Sequence, residues 1–248
     1  QAAVELILDA SGSMLQRIEG KRRINVAKEV LTEAVREHIP AGTPVALRVF
    51  GHKEVDACRN DLEIPLSPLN PDAAVKKISG IQAMNLARTP IADSLAAVAG
   101  DLKGAKNGAV VLVTDGEETC EGDPAAVIQS LQDKGFDINL NIVGFAIDDA
   151  DLAAQFESWA ELGNGEYFSA ENQDGLSEAI EKALRIPVTV FDQDGPEVGA
   201  GPVGGQPLEL ERGMYSGLGR TEPLQKWGGG GGGGGAGGGV EGGGGGGG

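Results

Sequence analysis

Histidine, cysteine, basic charge and long apolar runs are all scarce in this sequence, and each scarcity narrows what the chain can do. Its two histidines, His38 and His52, leave hydrolysis short of a general base, and neither lies beside a cysteine that it could activate. The motifs G-x-S-x-G, H-E-x-x-H and G-x-x-x-x-G-K-[ST] are absent as well, so the chain is read as not an enzyme. The two cysteines, Cys58 and Cys120, leave one disulfide and two separate thiols equally open at this point. Twenty basic residues against thirty-seven acidic ones give a formal charge of −17, which repels phosphate backbones and anionic lipid surfaces. Nucleic acid is therefore excluded as a partner, although an acidic surface also serves plain solubility. No run of eighteen apolar residues occurs, so no membrane span is expected. The opening "QAAVELILD" carries no charged leader, which fits a chain whose signal peptide has gone and fits a trimmed chain equally.

At 248 residues, 40% of them hydrophobic, the chain can bury one full-sized core and carry a smaller appendage. Short apolar runs at 3–9, 44–51, 109–115, 138–145 and 165–170 are rich in Val, Ile and Leu without alternation, as in strands covered on both faces. Between them lie segments of helical spacing at 21–39, 71–79, 90–102, 124–134, 149–162 and 173–184. In the first, Ile24, Ala27, Val30, Leu31, Ala34 and Val35 form one apolar stripe. "DLEIPL" at 61–66 follows the second strand with no helix between, which makes it an antiparallel edge strand, and Pro65 agrees. The alternation predicts an α/β fold: a doubly wound, mostly parallel open sheet with helices on both faces. Beyond residue 186 the pattern turns to short alternating strands with a "DG" turn at Asp194 and Gly195. The chain is thus divided into 1–186 and a small β-rich C-terminal module, 187–248. The glycine run from Gly228 is read as a stand-in for unidentified residues, and nothing functional is built on it.

In a doubly wound sheet, sites lie at the carboxyl ends of the strands. Asp9 and Asp115 each close an apolar run, so both carboxylates are expected on one rim. "DASGSM" adds the hydroxyls of Ser11 and Ser13, wound inward with the help of Gly12, and "RTPIADSL" adds Thr89 just ahead of a helix. Five oxygen-bearing side chains from three loops suit a hard divalent cation. Taken singly, the serines could cap a helix and Asp115 a turn, but that does not account for their convergence.

"DASGSM", "RTPIADSL" and "VVLVTDG" together resemble a von Willebrand factor type A domain with its metal-ion-dependent adhesion site, over residues 3–185. The resemblance implies a Rossmann-like fold and Mg²⁺, with Mn²⁺ or Ca²⁺ as alternatives, held by Asp9, Ser11, Ser13, Thr89 and Asp115. It also implies an open coordination position filled by an Asp or Glu of a protein partner, hence adhesion or assembly. "LILDASGSM" and "VTDGEETCEGDP" resemble bacterial members, pointing to a periplasmic or secreted chain. With the family's strand order, Cys58 and Cys120 both reach the metal rim, where a disulfide would pin two loops. A structural part of an envelope assembly, with the metal serving the fold, is the alternative role. His52 is expected to be a hydrogen-bonded loop residue, Glu117 and Glu118 solvated surface charge, and Phe156 and Trp159 core.

Overall fold

The computed structural model describes residues 3–105 and 107–185, with the strand segments 187–192, 197–202 and 215–219. A six-stranded sheet forms its centre. β1 (Ala3–Asp9) is followed by a two-residue hairpin, β2 (Arg17–Ile18) and β3 (Lys21–Arg22), then by β4 (Pro44–Phe50), β5 (Asn60–Pro68), β6 (Asn107–Thr114), β7 (Asp137–Phe145) and β8 (Tyr167–Ala170). The order across the main sheet is β5-β4-β1-β6-β7-β8. All neighbours are parallel except β4 and β5, so the expected antiparallel edge strand is there. It is longer than its apolar run because an edge position accepts both Pro65 and Pro68.

Every residue of β1 is buried, as befits a central strand with helices on both faces. The helices are α1 (Arg23–Glu33), α2 (Pro71–Gly80), α3 (Ile91–Asp101), α4 (Pro124–Asp133), α5 (Ala150–Leu162) and α6 (Gln173–Ala183). Val4, Leu6 and Leu8 of β1 point into a core shared with α1, α2 and α6. Ala3 and Ile7 point into a second core shared with α3, α4 and α5. The predicted apolar stripe of α1 is the buried face. That helix starts two residues later than its pattern implied, because Lys21 and Arg22 are taken by β3, and it passes into a π-helical turn at Ala34–His38.

One acidic side chain breaks the second core. Glu5 of β1 is fully buried, with Arg48 Nε at 3.9 Å. Arg48 itself is committed to Asp101 at 2.6 Å. Burial, with the Asp101 carboxyl adding to it, pushes Glu5 up to about 9, so it is carried protonated at neutral pH.

Among the described C-terminal residues, β9 (Pro187–Asp192), β10 (Glu197–Pro202) and β11 (Tyr215–Gly219) form an antiparallel sheet in the order β10-β9-β11. The expected turn at Asp194 and Gly195 and the glycine run from Gly228 lie outside the described residues.

Candidate metal centre

β1 lies between β4 and β6, so the loops leaving all three strands meet on one rim. Asp9 ends β1 opposite Phe50 of β4, and its Oδ1 accepts from the main-chain N–H of Ser11 at 2.7 Å, which turns the chain sharply off the sheet. A short 3-10 turn, Gly12–Leu15, follows. Two glycines let the loops close. Gly51 has φ +74°, and a Cβ there would sit 2.5 Å from Ser11 N. A Cβ on Gly12 would lie 3.1 Å from the main-chain N of Leu86, in the loop that leads to Thr89.

The side chains then form two oxygen sets, joined where the Ser11 main-chain N–H meets Asp9. Ser11 Oγ is 3.1 Å from Ser13 Oγ, and Ser13 Oγ donates to Asp115 Oδ1 at 2.5 Å. Thr114, the last residue of β6, donates from Oγ1 to Asp9 Oδ2 at 2.7 Å. Thr89 is buried and is tied to the Asp115 loop by its main chain: its N–H donates to Thr119 Oγ1 at 2.7 Å, and its carbonyl accepts from Thr119 N at 3.1 Å. Four of the five residues singled out in the sequence are therefore linked by hydrogen bonds, and the fifth is fixed to the same rim.

Electrostatically this cluster is rich in buried negative charge: two carboxylates share it, and among the described residues only Asp115 is met by a cationic side chain, Arg23. Asp9 is fully buried, and burial together with the nearby Asp115 charge pushes it up to about 7, against the lowering effect of the Ser11 and Thr114 bonds. Asp115 is also raised, chiefly by burial, although Ser13 and Arg23 bond to it. Two buried carboxylates that repel each other are an unfavourable arrangement that a divalent ion relieves. The ligand atoms are all oxygens, and three of the five residues, Ser11, Ser13 and Thr89, offer neutral hydroxyls, which suits Mg²⁺, Mn²⁺ or Ca²⁺ better than a thiophilic metal. Among the described residues there is no group of three or more His, Cys, Asp or Glu side chains able to hold a metal, so the hydroxyls are essential to the fit.

The surroundings tie the rim loops to one another. Cys58 and Cys120 are joined as a disulfide with a Cα–Cα distance of 5.7 Å, bridging the β4–β5 and β6–α4 loops. Glu118 is not simply solvated: its Oε2 accepts from Ala92 N in the first turn of α3 and its Oε1 from Cys120 N. It is an anionic cap for the helix that starts beside Thr89. Glu117 is exposed, as expected. His52 pairs with Glu63 at 3.0 Å, the loop role expected of it, and Phe156 and Trp159 pack in the core with ring centroids 5.5 Å apart.

Two residues at the centre escaped the sequence reading. Thr114 is a lone hydroxyl in the otherwise apolar "AVVLVTD", and that anomaly was its signal. Arg23 donates from Nη1 to Asp115 Oδ2 at 2.9 Å. Its signal was a basic run, "KRR", placed where a helix begins.

A parallel α/β sheet with a hydroxyl and carboxylate cluster at the carboxyl ends of its central strands defines a class of binding domain, and the comparisons agree with it. A family model described as von Willebrand factor type A domain matches residues 4–118. The chain is 35% identical over 191 residues to the uncharacterized protein YwmD of Bacillus subtilis (strain 168), covering 72% of this chain and 83% of that one. Among solved structures it resembles an aerotolerance-related membrane protein of Bacteroides fragilis, with a TM-score of 0.57 and 21% identity over 74% of this chain and 98% of that one. Proximal thread matrix protein 1 of the mussel byssus, solved with a zinc-occupied metal-ion-dependent adhesion site, matches with a TM-score of 0.57 and 18% identity over 74% of this chain and 44% of that one. The chain belongs to the von Willebrand factor type A domain family.

Proposed function

We propose that the chain is a divalent-metal-dependent protein-binding module, used in adhesion or assembly and without enzymatic activity. Asp9, Ser11, Ser13, Thr89 and Asp115 hold the ion, Mg²⁺ in the first instance, with Mn²⁺ or Ca²⁺ as alternatives. An Asp or Glu carboxylate of a protein partner completes its coordination. The observation that carries this reading is the buried Asp9 and Asp115 pair on one rim, the first bonded to the Ser11 main-chain N–H and the second to the Ser13 hydroxyl, with the two serine hydroxyls in contact between them. Neutral hydroxyls quench little of an ion's charge, so the ion keeps its pull on an incoming anion. When bound, the metal supplies Lewis acidity toward that carboxylate. The protein residues orient it and keep its protein side dry. The zinc-occupied site of the mussel byssus protein supports metal binding on this fold.

Residues 1–186 serve as the binding head and 187–248 as an appended β-rich module. The Cys58–Cys120 disulfide favours an oxidising setting, hence a periplasmic or secreted location. No helix among the described residues is long and apolar enough to cross a membrane. A second reading, a metal that serves the fold within an envelope assembly, draws on the same buried carboxylate pair, which a cation stabilises whether or not a partner binds.

The two readings separate in a capture experiment with the purified chain as bait for envelope proteins, in Mg²⁺ or in EDTA, beside Ser11→Ala. A partner retained only by the wild type in Mg²⁺ supports carboxylate capture. Equal retention in all three conditions refutes it and leaves the structural role.

A further inference from the structure

The first turn of α1 carries charge of the wrong sign for its backbone. A helix N-terminus favours anions and disfavours cations. Yet Lys21, Arg22 and Arg23 stand at this end of α1, with no acidic residue in its first turn. Arg23 is the one drawn inward. Its main-chain N–H is anchored to Gln16 O at 2.9 Å, and its side chain is only 13% exposed. It pairs at 2.9 Å with an Asp115 side chain that is fully buried. Its Nε is also buried, with no hydrogen-bond partner among the described residues. A guanidinium held against its helix dipole and incompletely bonded is there for the carboxylate it meets.

We infer that Arg23 is a positioning residue that sets the net charge of the metal site, and with it the balance between holding the ion and attracting a ligand. This rests on the metal reading above. Asp9 and Asp115 give the site a formal charge of −2, which a divalent ion alone cancels to zero. Arg23 opposite Asp115 Oδ2 raises the loaded site to +1, which favours an incoming carboxylate. The same charge repels the ion. In the metal-free protein it neutralises Asp115, so the fold tolerates an empty site.

These signs oppose one another, which a merely packing role does not reproduce. Arg23→Gln should bind Mn²⁺ about tenfold more tightly, since a full charge within about 4–6 Å is worth about a decade or more in such equilibria. The same variant, loaded with Mn²⁺, should bind acetate several-fold more weakly, and its thermal midpoint in EDTA should fall. Arg23→Lys keeps the charge and should stay within about twofold of wild type in both affinities. Arg22→Gln, which removes an exposed charge one residue away, should change neither.

Calorimetric titration reads the Mn²⁺ affinity, and loss of water-proton relaxation enhancement reads acetate displacing water from protein-bound Mn²⁺. Weaker or unchanged Mn²⁺ binding in Arg23→Gln, or an Arg23→Lys that behaves like Arg23→Gln, overturns this assignment alone. An Arg23→Gln that fails to fold even in saturating Mn²⁺ overturns it in favour of a structural role. A wild type that binds no Mn²⁺ overturns the metal reading and this inference together.

Discussion

Thr114→Val removes one hydroxyl from the centre of the site at almost constant volume. Thr114 is fully buried, and its Oγ1 donates to Asp9 Oδ2 at 2.7 Å while lying 3.3 Å from Gly116 N as an acceptor. Valine leaves a buried carboxylate oxygen and an amide without this partner. A hydrogen bond to a charged group contributes about 1.5–3 kcal/mol, and the weaker Gly116 contact adds little. The expected loss is about 2 kcal/mol of unfolding free energy at pH 8, where Asp9, at about 7, is mostly ionised. At pH 5 Asp9 is protonated and the loss should shrink to about 1 kcal/mol, the value of a neutral bond. Because Thr114 also orients a proposed metal ligand, Mn²⁺ affinity should drop about 10- to 100-fold, as for other groups that hold ligating carboxylates in place. Thr114→Ser keeps the hydroxyl and should recover the pH dependence and most of the metal affinity. Urea unfolding at the two pH values in EDTA, with Mn²⁺ titration beside it, measures all of these. A Thr114→Val protein within about 0.5 kcal/mol of wild type at pH 8 and with equal Mn²⁺ affinity would refute the claim that Thr114 organises Asp9.

Other expectations concern the scaffold. The Cys58–Cys120 bridge spans a sequence separation of 62, for which loop-closure entropy alone gives about 4 kcal/mol. The double Ser variant should lose about 2–4 kcal/mol in chemical denaturation, and a loss under about 1 kcal/mol would mean that the rim loops are held without the bond. Glu5 keeps its proton to about 9 in the folded state and releases it near 4.5 when unfolded, so it stabilises below about pH 4.5 and that contribution is lost as pH rises toward 9. Glu5→Gln should therefore flatten the decline in stability between pH 5 and 9, and an unchanged slope would remove Glu5 as its cause. Gly51→Ala demands both a left-handed alanine and a Cβ 2.5 Å from Ser11 N. It should cost about 2 kcal/mol or more and weaken Mn²⁺ binding by displacing the Asp9–Ser13 loop, which calorimetry on a folded variant would detect.

Much of the architecture was legible because a strand buried on both faces needs apolar residues at every position. β1, β4, β6 and β7 stand out for that reason, and their ends locate Asp9 and Asp115 without any motif. The helices were legible from their stripes, with boundaries moved wherever another element claimed a residue. The hairpin of Arg17–Ile18 and Lys21–Arg22 carries no apolar alternation, and its registry comes from the turn between two-residue strands. It could not be read from pattern. Glu5 sits inside "VELIL", where hydropathy carries it along with its neighbours and gives no hint of Arg48 and Asp101. Arg23 and Thr114 left only weak local marks for a different cause: each acts on a carboxylate 92 or 105 residues away in sequence, and only the fold brings them together. Glu118 looked like surface charge because a helix N-terminus that accepts a carboxylate from another loop leaves no mark in local sequence.

The central claim is that a single divalent ion sits among Asp9, Ser11, Ser13, Thr89 and Asp115. Crystals of the protein soaked in Mn²⁺ and measured at the manganese absorption edge test it directly. The account predicts one anomalous peak per chain on this rim, within about 2.0–2.6 Å of the Ser11 and Ser13 hydroxyl oxygens. A rim without anomalous density in crystals that bind Mn²⁺ elsewhere, or an unshifted peak in Ser11→Ala/Ser13→Ala crystals, would contradict it.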